Sequence, residues 1–250
     1  MEANSHSYIL EFKIIIGLSA AIFQRFLFSY IPCFFGNVDC FLLTFFVILF
    51  IPVYLSNDIM MTIYMFIFYS VGCRLNYFTR FVEKSRDIVC CEFIYKFMID
   101  CTKQTIKTFE VAFMVCLICL TPQIMMTVYF VLDSIKHNKG DGISFYQFIT
   151  SSGVTVIQSL ILMFLPAFFA GKLKAENETL KIVLHNILLK EKDVAKCKDL
   201  KRFIRYVEAR PYKFTVCKII PMDWTLPVLI LNIIVTYLIV AIQFTHLYEH

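Results

Sequence analysis

Long apolar runs separated by short polar breaks organise this 250-residue chain. The first run covers residues 14–35, interrupted by Gln24 and Arg25, and the second covers 41–55 and carries Pro52. Ser56-Asn57-Asp58 then reads as a hairpin turn, because three short polar side chains between apolar runs favour one. A third run, 59–80, acquires Arg74, Asn76 and Arg80, then Lys84, and so predicts a helix that becomes amphipathic as it leaves an apolar phase. The fourth and fifth runs are 109–132 and 148–170, with a polar, glycine-containing loop at 133–142 between them. The last run is 224–244, and Pro221 and Pro227 predict a kink or a broken helix at its start. Several of these runs approach the roughly 20 apolar residues that cross a bilayer as a helix.

Residues 172–218 have a different pattern. Leu180, Leu184, Ile187 and Leu188 share one helical face, as do Leu200, Phe203, Ile204 and Val207, with charged residues on the other faces. Two amphipathic helices are predicted there, packed on the cytoplasmic ends of spans 59–80 and 109–132 or on a neighbouring subunit. Arg210-Pro211 turns the chain back, since proline biases its predecessor away from helix. The predicted fold class is all-α: a polytopic transmembrane helical bundle, one membrane domain over 1–250, with a cytoplasmic helical anchor segment at 172–218.

Composition turns the pattern into a membrane assignment. Apolar residues make up 59% of the chain, mean hydropathy is +0.70, and 27 Phe stand against 7 Gly. A soluble domain of that make-up would expose too much apolar surface. The first run lacks a basic head and a small-residue cleavage site, so no cleavable signal is expected. Of 24 Lys and Arg, 6 lie in 80–107 and 13 in 172–218. Positive charge collects on the cytoplasmic side, so both segments are expected inside, with contact to anionic membrane lipid a secondary role. The 133–142 loop and the C-terminus are then outside. Six spans are preferred; if 41–55 and 59–80 form one bent helix there are five, a count the uncharged loop at 31–37 favours.

Site chemistry narrows the function little. The 10 Cys include Cys116 and Cys119 in a single CxxC within an apolar run, which reads as buried thiols. Cys33 and Cys40 flank a short loop where a disulfide is open to formation. The 5 His show no ligand-spaced pair within a span, so no metal, cofactor or catalytic residue is expected and an enzyme is disfavoured. The basic balance is explained by topology, leaving no call for a nucleic-acid partner. Asn177-Glu178-Thr179 is a glycosylation sequon by pattern, unmodified if cytoplasmic.

The final run carries Thr236-Tyr237, five mostly apolar residues, then Gln243-Phe244. With an extracellular C-terminus and a helical cytoplasmic segment before the last span, this resembles the insect gustatory receptor family of seven-span chemosensory channels. Ala209-Arg210-Pro211 through Asp223 to Tyr248 is similar to the moth and butterfly members, and Ala175-Glu176-Asn177 resembles a short acidic pattern of the family. The resemblance covers about residues 59–248 and leaves the chain short at its N-terminal side. It implies a plasma-membrane, multi-pass subunit of a ligand-gated, non-selective cation channel, a homo- or heterotetramer with other gustatory receptor subunits. The last helix would line the central pore, with Gln243 at the constriction and Phe244, Ile239 and Val240 beside it. Thr236 and Tyr237 would hold that helix against adjacent spans. The tastant, a sugar or a bitter compound, would meet the outer halves of the other spans, where Tyr64, Gln123, Met125, Tyr129, Tyr146 and Gln158 fall. A transporter or a G-protein-coupled-type receptor is the alternative. The first should show internal repeats, and the second an acidic-Arg-aromatic triplet and an NPxxY-like motif that this chain lacks.

Overall fold

The computed structural model describes the backbone of residues 40–85, 87–137, 143–212, 214–216 and 220–248, together with Ile16, Ser19 and Phe23. Side chains are described mainly from 55 to 135 and from 149 to 244. Apart from those three residues, the expected span at 14–35 lies outside the described residues, as does the Cys33–Cys40 disulfide.

From Cys40 on, the described residues form three very long helices: α1 (Cys40–Lys84), α2 (Ile88–His137) and α3 (Ile143–Lys190). They contain 45, 50 and 48 residues. At ~1.5 Å per residue each is roughly 70 Å long, more than twice the ~30 Å hydrocarbon core. A shorter α4 (Val194–Ala209), a ribbon of β1 (Thr215–Val216) and β2 (Ile220–Pro221), and α5 (Thr225–Tyr248) follow among the described residues. The ribbon is antiparallel, with Thr215 opposite Pro221 and Val216 opposite Ile220. Among the described residues, four helices are long and apolar enough to cross a membrane. The fold class is a helical membrane bundle, as expected.

Several boundaries differ from expectation. Ser56, Asn57 and Asp58 form no hairpin; they lie inside α1, which continues through them from 41–55 into 59–80. Turn propensity is weak against a helix flanked on both sides by apolar sequence. α2 likewise runs on to His137, into the expected 133–142 loop. Pro221 ends β2, and Pro227 sits in the first turn of α5, where its missing N–H is an orphan anyway, so the last helix is not broken. Pro122 and Pro166 lie within α2 and α3, as membrane helices tolerate. The amphipathic stretch at 172–190 is no separate helix but the end of α3.

The chain divides into two compact units: residues 1–62, 115–163 and 228–250 in one, and 63–114 with 164–227 in the other. In the first, α2 buries Cys116, Leu117, Leu120 and Ile124, α3 buries Ser159 and Met163, and α5 buries Ile230 and Ile234. These spacings are those of helix faces turned to a common interior.

The second unit has an aromatic core. Tyr64 packs on Phe113 with ring centroids 4.3 Å apart, and Phe68 meets Phe214 at 5.3 Å. Tyr95 is ringed by Phe203, Tyr206 and Tyr212. α4 buries Leu200, Phe203, Ile204 and Val207, and α3 buries Leu173, Asn177, Leu180 and Leu184. Burying one such large side chain stabilises by about 1.5–3 kcal/mol. The two predicted faces therefore pack within this chain, though Ile187 and Leu188 are only half-buried. Polar pairs fix the register: Asn76 Nδ2 donates to Glu176 Oε2 at 2.9 Å, and the Tyr95 hydroxyl donates to Asn177 Oδ1 at 2.8 Å. Arg202 Nε meets Glu92 at 2.9 Å and Arg210 reaches Asp100 at 3.4 Å. Gly171 lets Trp224 lie close over α3, since a Cβ there would stand 3.0 Å from the indole nitrogen.

Candidate functional site

The last helix starts at a defined cap. The Asp223 carboxylate accepts from the Thr225 backbone N–H at 2.9 Å and from its hydroxyl at 2.6 Å. Those two bonds, the hydroxyl's first, hold the Asp223 carboxyl below the usual carboxylate range. From that cap, Leu226, Ile230 and Ile234 form the buried stripe of α5.

Four polar residues of α5 form a second stripe. Thr225, Asn232, Thr236 and Gln243 stand seven, four and seven residues apart. At ~100° per residue they lie within roughly 40° of one bearing, and the buried stripe is centred about 140° away. All four are exposed in the single chain. Ile239 and Val240 flank this stripe, 52% and 40% exposed. Tyr237 and Phe244 instead continue the bearing of the buried face, yet they are 60% and 57% exposed. Thr236 and Tyr237 are thus without cover in the single chain. Asn232 was not singled out from the sequence, although its spacing from Thr236 and Gln243 carries the signal.

The residues expected around a ligand separate. Tyr64 belongs to the second unit, fully buried, with its hydroxyl donating to the Ile106 carbonyl at 3.3 Å. That is a packing role. Gln123, Met125, Tyr129 and Gln158 belong to the first unit, where all four are half-buried. Tyr146 is helical, and its side chain lies outside those described. The structure adds a buried polar pair to the first unit: Asn57 and Asp58, 4% and 2% exposed. Their turn-like composition hid them. Among the described residues, no group of three or more His, Cys, Asp or Glu side chains is placed to hold a metal ion.

The family model described as 7tm Chemosensory receptor matches residues 5–247, almost the whole chain. The chain belongs to the 7tm chemosensory receptor family. It is thus a chemosensory receptor and a multi-pass membrane protein, in keeping with its resemblance to insect gustatory receptors and with its four membrane-crossing helices. The 7tm chemosensory receptors are a family of receptors rather than of enzymes. No curated protein matches the chain at a significant level.

Proposed function

We propose that this chemosensory receptor is a subunit of a ligand-gated, non-selective cation channel, opened by a tastant, with α5 lining a central pore shared by four subunits. The observation that carries the reading is the exposed stripe of Thr225, Asn232, Thr236 and Gln243 on a largely apolar helix. Polar side chains in a span are retained where they face protein or water rather than lipid. Four copies of α5 around one axis turn such a stripe into stacked rings bordering a water path. Gln243 then forms a ring of amides, which bars ions when the helices are close and offers oxygen ligands when they part. Ile239 and Val240 make the apolar shoulders of that constriction. Tyr237 and Phe244, large and exposed on the packed bearing, suit contact with an adjacent subunit, of this chain or of another gustatory receptor. The basic segments put the C-terminus outside the plasma membrane.

Thiol accessibility tests this reading in cells that express the full chain. Cysteine at Asn232, Thr236 or Gln243 is expected to let a water-soluble thiol reagent block the tastant-evoked cation current. Cysteine at Ile234, on the packed face, is expected to leave it unblocked. Block that ignores the bearing on α5, or that occurs at none of the striped positions, overturns the pore assignment.

A further inference from the structure

The one tryptophan of the chain, Trp224, stands immediately before α5 and is 51% exposed. Its ring is nevertheless fixed. Gly171 of α3 puts no side chain beneath it, and Phe168 meets it edge-on with ring centroids 5.6 Å apart. Among the described residues, none accepts from the indole N–H. Half of a large ring with a polar edge is thus held in place and left uncovered.

That ring sits where two charge-free stretches end. Residues 143–171 of α3 and 225–248 of α5 contain no Asp, Glu, Lys or Arg, and Lys172 and Asp223 stand just beyond them. The contact of Gly171 with Trp224 brings the two ends to one level. The apolar stretch Thr225–Phe244 has 20 residues. At ~1.5 Å per residue it matches the hydrocarbon core of a bilayer. Trp224 therefore stands at a membrane–water interface, where tryptophan is enriched because its body is apolar and its N–H a donor. On the sidedness read from the basic segments, on which this inference rests, that interface is the cytoplasmic one.

The charges at this level are mainly positive. At ~100° per residue, Lys172 and Lys174 lie roughly 70° and 90° to either side of the α3 bearing that carries Phe168 and Gly171. Both are exposed, and neither has an ion-pair partner among the described residues. The nearest carboxylate, Asp223, is turned to Thr225, and Lys174 is close enough to help those two bonds lower its pKa. Farther along α3, Glu176 accepts from Asn76 and Glu178 pairs with Lys181. Two cations flanking an exposed, immobilised indole suit a partner with an anionic head and an apolar body. A soluble anion would use the lysines and leave the ring bare.

We propose that Trp224, Lys172 and Lys174 form a headgroup site for an anionic phospholipid of the cytoplasmic leaflet. The ammonium groups meet the phosphate and any further headgroup charge, and the indole N–H donates to a phosphate or glycerol-ester oxygen. The ring lies against the first methylenes of the acyl chains. A lipid so bound holds the start of α5 against α3, beside the Asp223 cap.

Because Trp224 is the one tryptophan, intrinsic fluorescence of the full chain reports on this site alone. The full chain is reconstituted in phosphatidylcholine vesicles that carry a small, equal mole fraction of spin-labelled phosphatidylcholine or phosphatidylserine. Each lipid is labelled either near the glycerol or near the chain terminus. The shallow label is expected to quench Trp224 more than the terminal one. Shallow-labelled phosphatidylserine should quench more than its phosphatidylcholine counterpart, to the extent of an enrichment of at least about fivefold. That preference should vanish in the Lys172→Gln/Lys174→Gln double variant, while quenching by phosphatidylcholine persists and shows the ring still in place. Equal quenching by the two wild-type headgroup series overturns the site, as does a preference that survives the double substitution. Stronger quenching by the terminal label overturns the depth, and no quenching by any label means that protein covers the ring. Inorganic phosphate that removes the preference, where chloride of equal ionic strength does not, assigns the lysines to a soluble anion and overturns the lipid. The quenching requires neither an ionic current nor one orientation of insertion, so its failure is distinct from failure of the channel reading or of the sidedness.

Discussion

Two tyrosines in one aromatic cluster illustrate how a single hydroxyl acquires its meaning. Tyr95 and Tyr212 are both buried, with ring centroids 5.8 Å apart. The Tyr95 hydroxyl donates to Asn177, itself 1% exposed, whereas the Tyr212 hydroxyl has no partner among the described residues. Burial without a partner pushes the Tyr212 phenol well above its usual range. Tyr95→Phe should therefore strand the Asn177 oxygen and cost about 1–3 kcal/mol. Tyr212→Phe, the same chemical change, should leave stability unchanged or raised. Thermal unfolding midpoints of the two variants check this, and a larger loss for Tyr212→Phe than for Tyr95→Phe would contradict the hydrogen-bond pattern. The burial of Asn177 also gives a structural reason, independent of compartment, why the Asn177-Glu178-Thr179 sequon is closed to glycosylation in the folded chain. None of these pairings was legible from sequence, because the partners stand 82 residues apart.

At the scale of elements, the start of α5 matters most, since the proposed gate lies along that helix. Asp223 supplies the cap through both bonds to Thr225. Asp223→Ala should cost about 0.5–2 kcal/mol, with Asp223→Asn recovering much of it, as read from unfolding midpoints. Because the folded state lowers the Asp223 pKa, its contribution is complete above the ordinary carboxylate pKa. It is then lost as pH falls through that value towards the lower, folded one. The difference between wild type and Asp223→Ala should thus shrink with acidification in the acidic range and stay constant near neutrality. A difference that grows on acidification would sink the assignment. The end of α3 and all of α4 were readable from their 3.6-residue apolar period, and the last helix from its length. What the period could not reveal was that α1 runs unbroken through Ser56-Asn57-Asp58, because turn-favouring residues flanked by apolar sequence suit a loop and a buried helical site equally well.

For the whole molecule the strongest forecast concerns sidedness. An epitope tag placed after His250 should label on intact cells if the basic segments at 80–107 and 172–218 are cytoplasmic. Labelling only after permeabilisation, with surface expression shown separately, would reverse the topology. By itself the sequence established a helical membrane protein, the stretches that bear its spans and the resemblance to chemosensory receptors. Apolar runs of bilayer length, clustered cations and the spacing of Thr236-Tyr237 from Gln243-Phe244 are local properties of the chain, written in consecutive residues. Only the tertiary structure decided that Tyr64 is a packing residue, that Thr236, Tyr237 and Gln243 lack cover within one chain, and that Asn57 is buried without a partner. Burial and pairing depend on which distant helices arrive at a position. The period of a single helix specifies its faces but not what lies against them.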